Sequence, residues 1–518
     1  MMSNAPSIEE SMRFPVFLMV VAVAFAGCFD SGPETPEEPQ PESEGSAGPS
    51  LYSGIVPLGD NTTDGSGKTI SELVGGQAGH IYVSEYGPEP NIGVTSDGNV
   101  FTTAFSTIMR SQDQGATWEA VHTHGFENND PMLWVDPWTD RVYNAPMFPT
   151  LLCASVYWSD DEGERWTNPT PACGRTAFDH QKFATGPPGP NDNPLAGVLY
   201  PTVSYLCYNG VATTNCLVSY DGGQTWPVDR PTIVNTAGFA ASLAGAGPEN
   251  PPSVMSECLS GQNGHPTASP DGVVVFLRTW SCVKPIFTYS TDSGLTWTNV
   301  PGPMYPGGPW NFAENTPFSI DPETAFTPDG TMYALFQSWN HRAYLARTSN
   351  LGETWEGPWD VTPPGVTSTV FAALGAGDDG RIAMAFLGAA NVTGSSAAAP
   401  NDSRWHMWMV TSLDADREDP TFAAYRATPD EDPVQVGPIL QGGGFDNTRN
   451  LLDFIDGAVA PDGTFYVSYT EGCTILNNCT AQPREHQLDT YRASEGAVAW
   501  LKGIPLLTEN RTEPLNIG

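Results

Sequence analysis

From about residue 80 to residue 500, short runs alternate apolar and polar positions, and turns rich in Asp, Gly and Pro separate them. Alternation of period two marks half-buried strands, and no comparable run shows a helical period. Five pairs of these runs are joined by Asp-Gly: Val94–Phe101 around Asp97-Gly98, Ala268–Val274 around Asp271-Gly272, Phe326–Tyr333 around Asp329-Gly330, Gly377–Ala383 around Asp379-Gly380, and Val459–Tyr466 around Asp462-Gly463. Asp-Gly between apolar runs predicts a hairpin. Looser versions sit at Val135–Val142 and at Asn193–Tyr200, which makes seven hairpins.

A second pattern follows the hairpins. It reads Ser111-Gln-Asp113-Gln-Gly115-Ala-Thr117-Trp118, and returns as Ser159–Trp166, Ser219–Trp226, Ser290–Trp297 and Thr348–Trp355. The repeated positions are Asp113, Asp161, Asp221, Asp292 and Asn350, each with its tryptophan at Trp118, Trp166, Trp226, Trp297 and Trp355. The carboxylate can accept hydrogen bonds from its own turn, the glycine permits a positive φ, and the indole can fold back on the sheet. A degenerate copy begins at Ser412-Leu-Asp414, and Ala493-Ser-Glu495 is the only trace of a seventh. Equivalent turns on successive repeats cannot all face one site, so these aspartates read as structural.

The five motifs resemble the Asp-box, or BNR, repeats of the sialidase-like propellers, over about residues 79–500. The resemblance and the hairpin count together imply an all-β chain, a seven-bladed β-propeller of four-stranded antiparallel blades; six blades with one inserted hairpin is the alternative. His80–Tyr86 precedes the first complete unit and is placed to close the ring against the last blade. Enzymatic members of that family grip a substrate carboxylate with three arginines and use a Tyr–Glu pair with an Asp. Their Phe-Arg-Ile-Pro motif is absent here, and its place reads Gly87-Pro-Glu89-Pro-Asn91-Ile92.

The ends differ from the body. Arg13, the apolar run Phe14–Ala26 and the small residues before Cys28 resemble a lipoprotein leader, covering residues 1–28. Residues 29–78 are rich in Pro, Glu, Ser and Gly and read as a linker, disordered in its first part; the propeller spans 79–505 and a tail 506–518. Eight further cysteines in close pairs fit an oxidising compartment, with neighbour pairing Cys153–Cys173, Cys207–Cys216, Cys258–Cys282 and Cys473–Cys479 as the expectation. Sequence does not determine that connectivity, and metal binding is the alternative. The expected location is therefore outside the cell membrane, with the chain anchored to it through lipidated Cys28 alone.

Of 518 residues, 59 are acidic and 21 basic, a net charge of −38. That balance argues against nucleic acid as a partner. It suits a solvated acidic surface, with calcium held by clustered carboxylates as the sharper alternative. A monomer is expected.

Propellers bind at the mouth of the central channel, where segments leading into the innermost strands converge. Here those segments carry Glu89, Asp130, Arg175 to Lys182 with Asp179-His180, His265, and Arg449 to Asp456 with Asp453, and a neighbouring loop carries Arg342. Asp130, Asp179 and His180 are the candidate catalytic residues. Glu89, His265, Arg175, Arg342, Arg449 and Asp453 are the candidate ligand-binding residues. The expected function is recognition of an extracellular glycan or surface protein at that mouth. The alternative is an exo-glycosidase of the exo-α-sialidase type that uses paired carboxylates.

Overall fold

The computed structural model describes residues 50–52, 55–58, 76–84, 87, 89–125, 130–148, 152–176, 178–191, 193–210, 213–234, 263–278, 285–303, 321–338, 340–440, 450–451, 453–472 and 495–516. Cys28, Cys258, Cys282, Arg449, Cys473 and Cys479 lie outside them.

Six of the seven predicted hairpins form and join the innermost strand of a sheet to its second strand; the seventh, Asn193–Tyr200, forms turns and no strand, within the connection between the corresponding strands Asp179–Gly186 and Val203–Asn209. The innermost strands are Ile92–Val94, Leu133–Val135, Asp179–Gly186, Thr267–Ala268, Glu323–Phe326, Ser368–Ala376 and Asp456–Val459. Every sheet carries four consecutive antiparallel strands, and each innermost strand touches the innermost strand of both neighbouring sheets. The result is a closed ring, a seven-bladed β-propeller, which removes the six-bladed alternative.

The ring closes across the chain. The seventh blade takes Asp456–Val459, Phe465–Glu471 and Glu495–Lys502 from the end of the chain, and its outer strand, Gln77–Ser84, from near the beginning. His80 pairs with Ala499 in that register. Two short strands from the stretch read as linker extend the sheets further. Ser50–Tyr52 pairs with Gln77–Ser84, and Ile55–Leu58 pairs with Phe422–Arg426 of the sixth blade.

The aspartate turns join the third strand of a blade to its fourth. In the third blade Ser219 Oγ donates to Asp221 Oδ1 at 2.8 Å, and the amide and hydroxyl of Thr225 donate to the two carboxylate oxygens at 2.8 and 2.6 Å. Ser111–Asp113, Ser159–Asp161 and Ser290–Asp292 repeat that geometry, and Asn350 accepts from the Thr354 amide in the same way. The degenerate copy is real but longer, since Asp414 accepts from Ser412 and from the amide of Thr421, seven residues on. Residues 493–494 of the possible seventh copy lie outside the described residues, and Glu495 opens a third strand instead of ending one. The seventh blade needs no such turn, because its fourth strand comes from the other end of the chain.

Trp226 and Trp297 meet Phe183 and Phe276 of their own sheets, as expected, and the indoles also enter the groove against the preceding blade. Trp166 of the second blade packs with Phe101 and Ile108 of the first, and Trp355 of the fifth meets Phe287 of the fourth edge-on at 5.6 Å. The box glycines approach the same neighbour. Gly294, at φ 81°, sits where a β-carbon would lie 2.6 Å from Val218 of the blade before. Seven hydrophobic clusters result among the described residues, one in each groove between blades.

Two cross-strand disulfides form as paired in the sequence reading. Cys153 faces Cys173 across the outer strands of the second blade, and Cys207 faces Cys216 across the middle strands of the third.

Candidate functional site

Period-two alternation on an innermost strand sends every other side chain toward the axis. On Asp179–Gly186 a register shift lies between Asp179 and Lys182, and His180 adopts a positive φ of 50°. A bulge of this kind re-aims side chains. It leaves Asp179 exposed while His180, Gln181 and Lys182 are buried. Gln181 turns to the second blade, donating to the carbonyl of Asp130 at 2.7 Å.

His180 and Lys182 meet acids from two other blades. His180 Nε2 lies 2.8 Å from Asp321 Oδ1 and its Nδ1 lies 3.8 Å from Asp453 Oδ2. Lys182 Nζ sits 3.1 Å from the other Asp321 oxygen, with neither side chain more than 1% exposed. Beside them His265 Nδ1 and Glu323 Oε1 are 2.5 Å apart. The Phe454 ring stands edge-on to both imidazoles, with centroids 5.6 and 5.3 Å away. Asp456 completes the set, its Oδ2 accepting from the amide of Ile92 at 3.0 Å. The third, fourth, fifth and seventh blades therefore supply ionisable groups to one point, and the first supplies an amide.

Protonation diverges within this cluster. Burial would raise the Asp321 carboxyl, but His180 and Lys182 outweigh it and hold the group well below the usual carboxylate range. Burial, reinforced by Asp456 and Asp321, pushes Glu323 well up. Burial also pushes Asp456 up to about 6, against the amides of Ile92 and Gly457. His265 is held well below its ordinary value by burial and by Lys182. Carboxyl groups kept apart in protonation are the usual mark of an acid–base pair.

The cluster borders a central channel of about 340 Å³. His265, Glu323 and Asp456 reach its lining, together with Trp134 and Trp138. Arg511, Leu515 and Asn516 of the C-terminal tail line it as well. The tail is laced to the turns that follow the innermost strands: Arg511 N donates to the Pro461 carbonyl at 2.9 Å, and Leu515 N to that of Pro137 at 2.8 Å.

Of the candidates read from sequence, His180, His265 and Asp453 meet here. Asp130 reaches the group through its carbonyl on Gln181, and Glu89 is buried at a positive φ of 48° where the chain approaches the first innermost strand. The acids that face His180 are Asp321 and Asp453, so Asp179 does not supply its partner. Arg175 and Arg342 correct the reading. Each is drawn outward to an acid on the fourth strand of a blade, Arg175 to Asp229 and Arg342 to Asp360. Lys182, Phe454 and Asp456 lie in segments read as leading to the site but were not among its candidates, and Asp321 and Glu323 lay outside those segments. Asp321 and Glu323 stand two apart just before a hairpin, as His180 and Lys182 do, and that shared spacing was the available signal. No group of three or more His, Cys, Asp or Glu is placed to hold a metal ion among the described residues.

No family model matches the chain, and no curated protein matches it. Solved structures do. A lectin from Burkholderia pseudomallei is similar at 10% identity and a TM-score of 0.44, over 74% of this chain and 96% of the lectin. An α-L-arabinofuranosidase from Fusarium graminearum is similar at 14% identity and 0.36, over 67% of this chain and 97% of the enzyme. A sialidase from Trypanosoma rangeli follows at 13% and 0.35, over 89% of this chain and 60% of the sialidase. Likenesses this distant do not extend to what those proteins bind. Fold and site together define a seven-bladed propeller with a buried acid–base cluster beside its channel.

Proposed function

We propose that this chain is an exported, lipid-tethered propeller of the Asp-box kind that recognises a glycan at its central channel. The observation that carries the reading is the channel itself. Its volume of about 340 Å³ suits a small ligand, and its lining pairs the Trp134 and Trp138 indoles with the protonatable carboxyls of Glu323 and Asp456. Indoles offer flat apolar faces, and neutral carboxyl groups both donate and accept hydrogen bonds, which matches a sugar ring. Arg175 and Arg342 pair with Asp229 and Asp360, and the guanidinium of Arg511 in the channel lining lies 3.9 Å from Asp378, so a neutral glycan is the favoured ligand. Export is supported by the apolar leader before Cys28 and by the Cys153–Cys173 and Cys207–Cys216 bonds, which persist in oxidising compartments.

Hydrolysis is the second reading. One observation favours it: Asp321 is held ionised while burial keeps Glu323 protonated within the same cluster. A neutral Glu323 would give the proton that a departing glycosidic oxygen needs.

The test is a glycan array together with a fluorogenic glycoside panel, run on the full chain and on Glu323→Gln. Binding of a neutral glycan that Glu323→Gln weakens supports recognition. Turnover lost in the variant establishes hydrolysis. Absence of both binding and turnover in the unsubstituted chain overturns the proposal.

A further inference from the structure

A second cavity lies away from the axis, in the groove between the fifth and sixth blades. It has a volume of about 360 Å³. Its floor is the third strand of the sixth blade, Arg404–Ser412, whose sequence alternates cleanly. Trp405, Met407 and Met409 point into the core shared with the seventh blade. Arg404, His406 and Trp408 take the opposite face and line the cavity. Pro364–Val366, leading from the fifth blade into the sixth, forms one wall. Gly388 keeps the space beside the indole open, since a β-carbon there would lie 2.9 Å from both Trp408 Cδ1 and Val366 Cγ1.

The polar groups of this cavity balance. Arg404 and Arg426 face Asp402 and Asp430, two charges of each sign. Arg404 Nη1 donates to the Asp430 carbonyl and Arg426 Nη1 to its carboxylate, each at 2.7 Å. His406 is neutral near pH 7, since burial and Arg426 hold it down at about 4. A free anion therefore gains no net charge here, and a purely apolar ligand would bury the guanidiniums and carboxylates without partners. The half-buried indole of Trp408 supplies an apolar wall.

We propose that this groove is a second binding site, taking one neutral pyranose residue with a ring face against Trp408 and its hydroxyls on Arg404, Asp402 and Asp430. The site stands apart from the central channel and uses none of its residues. Arg404 and Asp402 are exposed, so replacing them leaves the fold intact. The test is ligand-observed NMR titration of the full chain with the methyl glycosides of glucose, galactose, mannose and N-acetylglucosamine. At least one glycoside is expected to bind. Arg404→Ala should weaken it about tenfold, the loss of a charge-assisted hydrogen bond. Trp408→Ala, which removes the apolar wall, should weaken it as well, and the binding that survives in Glu323→Gln should be the part that Arg404→Ala removes. The proposal is overturned if no glycoside binds, if Arg404→Ala binds as well as the unsubstituted chain at equal melting temperature, or if only Glu323→Gln loses binding.

Discussion

At the scale of single residues, the turn aspartates and the channel acids are opposite cases of one rule. The hydroxyl and amide of Thr117 hold Asp113 below its ordinary value. A carboxylate lowered in the folded state stabilises the fold above its unfolded pKa, and that contribution disappears as pH falls through the folded value. Asp456 behaves in reverse. Its folded value is raised to about 6, so its contribution is complete below the unfolded value and is lost as pH rises through about 6. Asp456→Asn should therefore flatten the decline in melting temperature between about pH 4 and 7; a variant whose profile matches the unsubstituted chain would show that this acid is not buried as described. Asp221→Ala should cost about 1–2 kcal/mol, because it strips acceptors from Ser219 and Thr225. Calorimetry should show the lower melting point, while glycan binding at the channel persists once the protein is folded. Asn350 already holds the same turn without a charge, so Asn350→Asp should change stability little.

At the scale of the element, each of the first five blades is locked twice. Its hairpin lines the axis, and its turn indole seals the groove behind it. Trp355→Ala should loosen the contact with Phe287 and weaken the join between the fourth and fifth blades, seen as faster amide exchange in both. The disulfides secure register in two outer and middle strand pairs, where Cys153 and Cys173 are 20 residues apart. Their removal by Cys153→Ser with Cys173→Ser should cost about 2–4 kcal/mol, read from denaturant melts in oxidising buffer. Unchanged stability would mean that strand pairing alone holds this edge.

At the scale of the whole molecule, closure depends on one strand from near the start of the chain. Gln77–Ser84 pairs along Glu495–Lys502 and completes the seventh blade. A chain beginning at residue 87 should melt several degrees lower and less cooperatively, and a peptide of residues 76–86 should restore it by strand addition. The C-terminal tail, pinned to Pro137 and Pro461, lies against the channel lining in the same closed ring.

The repeat itself determined the architecture. Asp97-Gly98 and its counterparts carry their hairpins in two residues, and Ser219, Asp221 and Thr225 satisfy one another within seven, so both were legible before any coordinates. What decides the site is long-range. His180 and His265 stood out as isolated polar groups, but Asp321 is 141 residues from His180 and meets it only because the ring brings the third and fifth blades to one axis. The outward pairing of Arg175 and Arg342 was likewise hidden, since Asp229 and Asp360 become partners only once the fourth strands are laid down. Local hydrogen bonding and period-two burial are written residue by residue along a chain. The company that a charged side chain keeps at the centre of a ring is set by closure, and closure is a property of the tertiary structure alone.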